Sequence, residues 1–168
     1  MKKKSKNIIK HIMTLTKPLI SIIIPTFNRF QYFRLTLESI IYQLSSVKYE
    51  IIVEDGGSSD KTLKYIEEKI KTNRNIKIIR NNQLVGATKA ICNCIDIARG
   101  KYIFVSNDHT IYDGELLIDS LNLLEENMLV YGVVNKFYIS GRKIPYKTLT
   151  RVPFKNIIHG GCAIIRKE

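Results

Sequence analysis

Asn107, Asp108 and His109 follow the apolar run Lys101-Tyr102-Ile103-Phe104-Val105. A carboxylate beside an imidazole at the end of such a run could hold a divalent cation. The run is short, β-branched and aromatic and begins after Gly100, which predicts a buried strand. In open α/β sheets ligands bind beyond the carboxyl ends of the strands. Taken alone, the tripeptide reads more simply as an Asn-Asp turn with an exposed histidine. Two other segments have the same character: Pro25-Thr26-Phe27-Asn28 and Glu54-Asp55-Gly56-Gly57-Ser58 each pair a polar or backbone-permissive stretch with a strongly apolar run before it. Asp55 stands before two glycines, where backbone N–H groups are accessible, and its carboxylate can accept paired N–H donors from a base such as uracil. The competing reading is an ordinary strand-to-helix turn, which accounts well for Asp60 and less well for Asp55.

The elements that must position these residues alternate. Strands are expected at Leu19 to Ile24, stopped by Pro25, at Glu50 to Val53, at Ile76 to Ile79 and at Tyr102 to Val105. A longer strand is expected at Leu129 to Tyr138 and a short one at Cys162 to Ile165. Between them the apolar spacing predicts helices over Phe30 to Leu44, Asp60 to Lys71 with Asp60 as N-cap, Leu84 to Ala98, and Glu115 to Glu126. The segment 144–157 gives no clear pattern. Strands alternating with helices of this length imply βαβ units, right-handed crossovers and a mostly parallel sheet. In such a sheet the residues after each strand share one edge, so the three polar segments converge there.

Composition bounds the function. The 168 residues suit a single globular domain with a real core, 18–168, behind a basic lead at 1–17. That lead carries Lys2, Lys3, Lys4, Lys6 and Lys10 among Ile8, Ile9, Ile12, Met13 and Leu15 at helical spacing. It reads as an amphipathic helix on an anionic membrane, as a frayed tail, or as a helix packed on the domain. No apolar run approaches the roughly 20 residues of a membrane span, and no secretory signal is expected, which places the chain in the cytoplasm or peripherally at the membrane surface. Cys92, Cys94 and Cys162 read as free thiols. The formal charge of +12 calls for an anionic partner, yet nothing specific to nucleic acid accompanies it. Usage rich in Ile, Lys and Asn fits an AT-rich genome, with viral and thermophilic sources as candidates.

Three stretches, Ser21-Ile-Ile-Ile-Pro-Thr-Phe-Asn-Arg29, Glu50-Ile-Ile-Val-Glu-Asp-Gly-Gly-Ser-Ser-Asp-Lys-Thr62 and Gly100-Lys-Tyr-Ile-Phe-Val-Ser-Asn-Asp-His-Thr110, resemble the family 2 glycosyltransferases in order and spacing. The resemblance implies the GT-A fold, a Rossmann-like α/β three-layer sandwich with a mostly parallel central sheet flanked by helices. It also implies transfer of a sugar from a UDP- or GDP-sugar to an unknown acceptor, metal-assisted and with inversion. By the same resemblance, Pro25, Thr26, Asn28, Asp55, Asn107 and Asp108 bind the nucleotide-sugar, and Asp108 with His109 holds the metal. His109 stands where the family has a carboxylate. Mg²⁺ prefers all-oxygen ligands and Mn²⁺ tolerates imidazole better, so Mn²⁺ is expected ahead of Mg²⁺. Arg80 and Lys89 are candidate diphosphate partners by position.

Two departures stand out. Thr88-Lys89-Ala90 occupies a place where the family often has Ala-Arg-Asn. The family's general base lies beyond the strand that His159-Gly160-Gly161-Cys162-Ala163-Ile164-Ile165-Arg166 resembles. Asp108 and His159 are the catalytic candidates, Glu168 and Asp113 are substitutes for the base, and a partner subunit, such as a second copy in a homo-oligomer, is a further source. The alternative function is a non-catalytic nucleotide-sugar binding module of a larger assembly.

Overall fold

The structure, a computed structural model, describes residues 17–112, positions 117 and 121, and the backbone of five later strands. The basic lead before residue 17 lies outside the described residues, as do Asp113, His159, Glu168 and most of the helix expected at 115–126.

Strand β1 (Ile20–Thr26) leads into helix α1 (Phe30–Gln43) and a short 3-10 turn at Leu44–Ser46. Then come β2 (Tyr49–Asp55), α2 (Thr62–Thr72), β3 (Ile76–Arg80), α3 (Ala87–Ile97) and β4 (Tyr102–Val105). The later strands are β5 (Val130–Val133), β6 (Phe137–Ile139), β7 (Arg142–Ile144), β8 (Thr150–Val152) and β9 (Cys162–Arg166). The main sheet runs β3-β2-β1-β4-β9-β5-β8, and β6 pairs with β7 in a separate ribbon. The first four strands are parallel, while β9, β5 and β8 extend the sheet through antiparallel pairs.

Strand alternation sorts the core into two layers of packing. Ile20, Ile22, Ile24, Ile51, Val53, Tyr102 and Phe104 face α1 and α2, where Phe33, Leu37, Ile40 and Ile66 are buried. Ile23, Ile52 and Ile103 face α3, against Cys94 and Ala98. Strands buried on both faces explain the near-continuous isoleucine runs. Among the described residues no helix is long and apolar enough to cross a membrane.

Several boundaries differ from expectation. Pro25 does not stop β1, which pairs on to Thr26↔Asp55. The Ile23 carbonyl accepts from Ser106 on the β4 side and the Thr26 carbonyl accepts from Gly56 on the β2 side. By alternation Pro25 points toward β4, beyond that ladder's last pair at Ile23↔Val105, where its missing N–H costs no bond. The third helix starts at Ala87 rather than Leu84, because Gly86 at φ 83° breaks the turn before it. The long strand expected at 129–138 is split between β5 and β6, β7 ends where the unread segment 144–157 begins, and that segment contributes β8.

The smaller face is bracketed by two buried glutamates of β2. Glu54 accepts from Asn81 and Asn93 at 2.7 and 2.9 Å and from the Cys94 thiol at 3.6 Å. Burial, and secondarily Glu54, push that thiol up to about 12, so it is an inert packing group rather than a nucleophile. Glu50, 2% exposed, accepts from Ser21, Lys77 and the Arg99 backbone N–H at 2.7, 2.7 and 2.6 Å. Gly100 sits so close that a Cβ there would lie 2.5 Å from the Ser21 nitrogen.

Burial raises the Glu50 pKa, but the bonds from Lys77, Ser21 and Arg99 outweigh it and hold the carboxyl at about 2. A depressed carboxylate contributes stability above its unfolded value, lost as pH falls through the folded one. Urea unfolding should therefore show stability declining from about pH 4.5 toward 2, with Glu50 contributing on the order of 3 kcal/mol. Glu50→Gln should be less stable at neutral pH and flatter across that window; parallel curves for the two proteins would refute the linkage.

Candidate functional site

The carboxyl ends of β1, β2 and β4 meet at one edge, as the sequence pattern requires. Asn28, just after β1, adopts φ 52°, a left-handed conformation that asparagine tolerates better than other non-glycine residues. Its N–H donates to the Ser58 hydroxyl at 2.9 Å, and its side-chain oxygen accepts from the Ser59 and Asp60 N–H groups at 2.8 and 3.3 Å. Asp60 in turn accepts from the Phe30 N–H at 3.0 Å and the Thr62 N–H at 2.9 Å, serving the amino ends of α1 and α2 together. Burial opposes its ionisation, but the bonds from Thr62 and Phe30 prevail and lower its pKa. The second helix begins at Thr62, with Lys61 in the cap position, so Asp60 acts from one residue outside it rather than as the expected N-cap.

Asp55 is fully buried. The Ser58 N–H approaches its two carboxylate oxygens at 3.1 and 3.3 Å, and the Ser58 hydroxyl donates to it as well. Gly57, at φ 88°, lets the chain turn under this carboxylate; a Cβ there would be strained and 3.0 Å from the Asn81 carbonyl.

Asp108, 7% exposed, is reached from three sides. The Thr26 hydroxyl donates to Oδ2 at 3.0 Å, the Arg29 Nε lies 3.8 Å from the same oxygen, and the His109 Nδ1 sits 2.9 Å from Oδ1. Pairing of β1 with β4 makes this meeting possible across 82 residues of chain. A cavity of about 430 Å³ opens here. Thr26, Arg29, Glu54, Asn107, Asp108 and His109 are among its polar lining, and Pro25, Phe27, Leu84, Val85 and Ala90 are apolar. Gly86 and Ala87 also line it, placing the positive end of the α3 dipole on the cavity.

The structure thus brings Pro25, Thr26, Asn107, Asp108 and His109 to one cavity. Asn28 and Asp55 brace the loops beside it and are not part of its lining. Arg80 and Lys89 do not line it either. Arg29 and Glu54 do, and sequence reasoning passed over both; Arg29 could have been found as the next residue of the loop that carries Asn28. Cys92 and Cys94 are free.

The donor set at Asp108 and His109 is one carboxylate and one imidazole. Among the described residues no group of three or more acidic, histidine or cysteine side chains is placed to hold a metal. A cation bound here would complete its shell with ligand oxygens, and a mixed oxygen–nitrogen pair suits Mn²⁺. A carboxylate on one ring nitrogen fixes the histidine tautomer and leaves the other nitrogen for a metal. Arg29 and the amino end of α3 lie alongside this pair in the cavity lining.

Residues 21–167 match the sequence profile of glycosyl transferase family 2. A dolichyl N-acetyl-alpha-D-glucosaminyl phosphate 3-beta-D-2,3-diacetamido-2,3-dideoxy-beta-D-glucuronosyltransferase of Methanococcus voltae is 35% identical over 130 residues, covering 70% of this chain and 39% of that protein. Among solved structures, S. aureus TarS 1-349 in complex with UDP matches with a TM-score of 0.62 at 24% identity, over 76% of this chain and 38% of that one. The mannosyltransferase PcManGT from Pyrobaculum calidifontis, in complex with GDP-Man and Mn²⁺, matches with a TM-score of 0.61 at 18% identity, over 68% and 34%. The chain spans about two-fifths or less of the length of each.

The loop bracing predicts separable effects at Asn28. Asn28→Gly keeps the backbone conformation and loses the accepted bonds, a cost of roughly 1–2 kcal/mol. Asn28→Ala loses the same bonds and adds about 1–2 kcal/mol of left-handed strain. Thermal denaturation should rank wild type above Asn28→Gly above Asn28→Ala, and equal stability of the two variants would show that the strain is relieved.

Proposed function

This chain belongs to glycosyl transferase family 2 and has the GT-A fold, and from that membership we propose that its cavity binds the diphosphate of a UDP- or GDP-sugar. The observation that carries the reading is the convergence of Thr26, Arg29, Asp108 and His109 on one cavity at the sheet's carboxyl edge. The neighbours in complex with UDP and with GDP-Man and Mn²⁺ support the donor class and the divalent cation.

The roles follow from the chemistry. Thr26 and His109 orient the Asp108 carboxylate. Asp108 and His109 would hold Mn²⁺ or Mg²⁺, and when bound that cation supplies charge neutralisation for the departing diphosphate. Arg29 and the amino end of α3 add positive potential from the protein itself. Pro25, Asn28 and Asn107 shape and brace the donor-side loops. Asp55 is the proposed partner of the base: its carboxylate offers about four acceptor sites, and opening of the Ser58 turn that covers it would expose them to base N–H donors.

In an inverting transfer the acceptor oxygen bonds to the anomeric carbon as the bond to the diphosphate breaks on the opposite face. The hydroxyl proton must go to a general base, and His159 is the proposed base. The acceptor completes the reaction as a glycoside, and a nucleoside diphosphate leaves.

Thermal denaturation with UDP and GDP, each with and without Mn²⁺, tests the binding. Ligand at a hundredfold excess over Kd contributes about 2.7 kcal/mol, a Tm rise of roughly 5–10 °C for a chain of this size. Arg29→Ala and Asp108→Ala should each weaken the shift at least about tenfold in apparent affinity, as expected for losing a charged contact, and His109→Ala should remove its dependence on Mn²⁺. No shift with either nucleotide would sink the reading. A normal shift without release of nucleoside diphosphate across an acceptor panel would identify a non-catalytic donor-binding module, and loss of release in His159→Ala alone would support the base assignment.

A further inference from the structure

A second cavity of about 400 Å³ lies at the other end of the parallel strands. Lys48 and Tyr49 at the start of β2 and Arg74 and Asn75 just before β3 help to form it, together with Lys77 and Arg99. Since β2 spans seven residues, this cleft is about 20 Å from the first cavity along the strand, at 3.3 Å per residue. Four cationic side chains line it against one carboxylate, Glu50.

Glu50 does not neutralise the cleft; it organises it. Its Oε2 holds the Lys77 ammonium at 2.7 Å and the Arg99 Nε at 3.3 Å, and its Oε1 takes the Arg99 backbone N–H. The terminal nitrogens of the Arg99 guanidinium carry four more N–H donors in a planar fork that matches phosphate oxygens. Lys48 and Arg74 are exposed on the rim. The fold also begins here: Pro18 lines the cleft, and the sequence that leads into it carries Lys2, Lys3, Lys4, Lys6 and Lys10.

We infer that this cleft is a second anion site, distinct from the donor cavity, that takes a phosphate group, borne by a lipid headgroup or free in solution. Lys77 and Arg99 are positioned in advance by Glu50, while Lys48 and Arg74 close on the phosphate from the rim. The inference does not depend on the donor reading, because no residue is shared between the two cavities.

The test uses the full 168-residue chain and the double variant Lys48→Glu/Arg74→Glu, both at exposed positions that leave the core intact. One arm measures flotation with phosphatidylglycerol vesicles against phosphatidylcholine vesicles. The other measures the Tm shift with inorganic phosphate in chelator, without nucleotide. Reversing two rim charges should weaken the response at least about tenfold, given about 1 kcal/mol for each basic residue near an anionic surface. Vesicle binding lost in the double variant identifies a lipid phosphate; a phosphate-induced shift lost in the variant, with no flotation of wild type, identifies a free one. Either supports the site, provided the variant keeps the wild-type Tm in the absence of ligand and the wild-type circular dichroism spectrum. Absence of both responses overturns the inference. Responses unchanged in the double variant overturn it equally, assigning vesicle contact to the lysine-rich lead and phosphate contact to the donor cavity.

Discussion

Asn28 joins two loops that the sequence separates by thirty residues, and the site depends on that junction. Its left-handed backbone turns β1 toward α1 and aims its amide oxygen at the Ser59 and Asp60 N–H groups. Asp60 then serves the first turns of both α1 and α2. Orphan amides at helix starts are costly if left unpaired, so one carboxylate and one amide satisfy several of them while fixing where the two helices begin. The Gly56 N–H to the Thr26 carbonyl, at 2.9 Å, carries the sheet ladder to the same place. Arg29 and Phe27 flank Asn28 in the chain, so the loop that is braced also supplies two walls of the cavity.

The second constraint is polar burial on the α3 face. The apolar patch between α3 and the sheet is small, built on Ile23, Ile52, Cys94, Ala98 and Ile103. Glu54 and Glu50 bracket it at opposite ends, each with several hydrogen-bond partners. Buried carboxylates are tolerated only when their lone pairs are satisfied, and here they are. The consequence is orientational: Glu54 grips Asn93 and Cys94, Glu50 grips the end of the α3–β4 connection at Arg99, and the amino end of α3 lines the carboxyl-edge cavity. The same pair divides the electrostatics of the molecule. At the carboxyl edge Glu54 and Asp108 both line the cavity, Asp108 met by Arg29 and His109; at the amino edge Glu50 organises a cluster of cations.

Much of this was legible in the order of residues. The isoleucine runs, the helical spacing of Phe33, Leu37 and Ile40, and the punctuation at Gly100 specify buried parallel strands and one-sided helices, because burial demands those periods. The rule that loops after parallel strands share an edge gathers Pro25, Thr26, Asn107, Asp108 and His109 from the sequence. Less legible were features set by a neighbour. Pro25 looks like a strand stop until the β4 ladder is seen to end before it. Val130–Val133 and Phe137–Ile139 read as one apolar strand, yet they pair in different sheets.

By itself the sequence determined the fold class, the family and the set of polar residues at the sheet's carboxyl edge, since hydrophobic period and strand-end chemistry are local properties. Tertiary structure alone decided which of them meet. It set Arg29 rather than Arg80 or Lys89 beside Asp108, turned Asn28 and Asp55 into braces around Ser58, and assembled Lys48, Arg74, Lys77 and Arg99 into one cleft. The reason is physical: side-chain partners are chosen by strand order and register, here β1 between β2 and β4, and those pairings join residues that no local pattern relates.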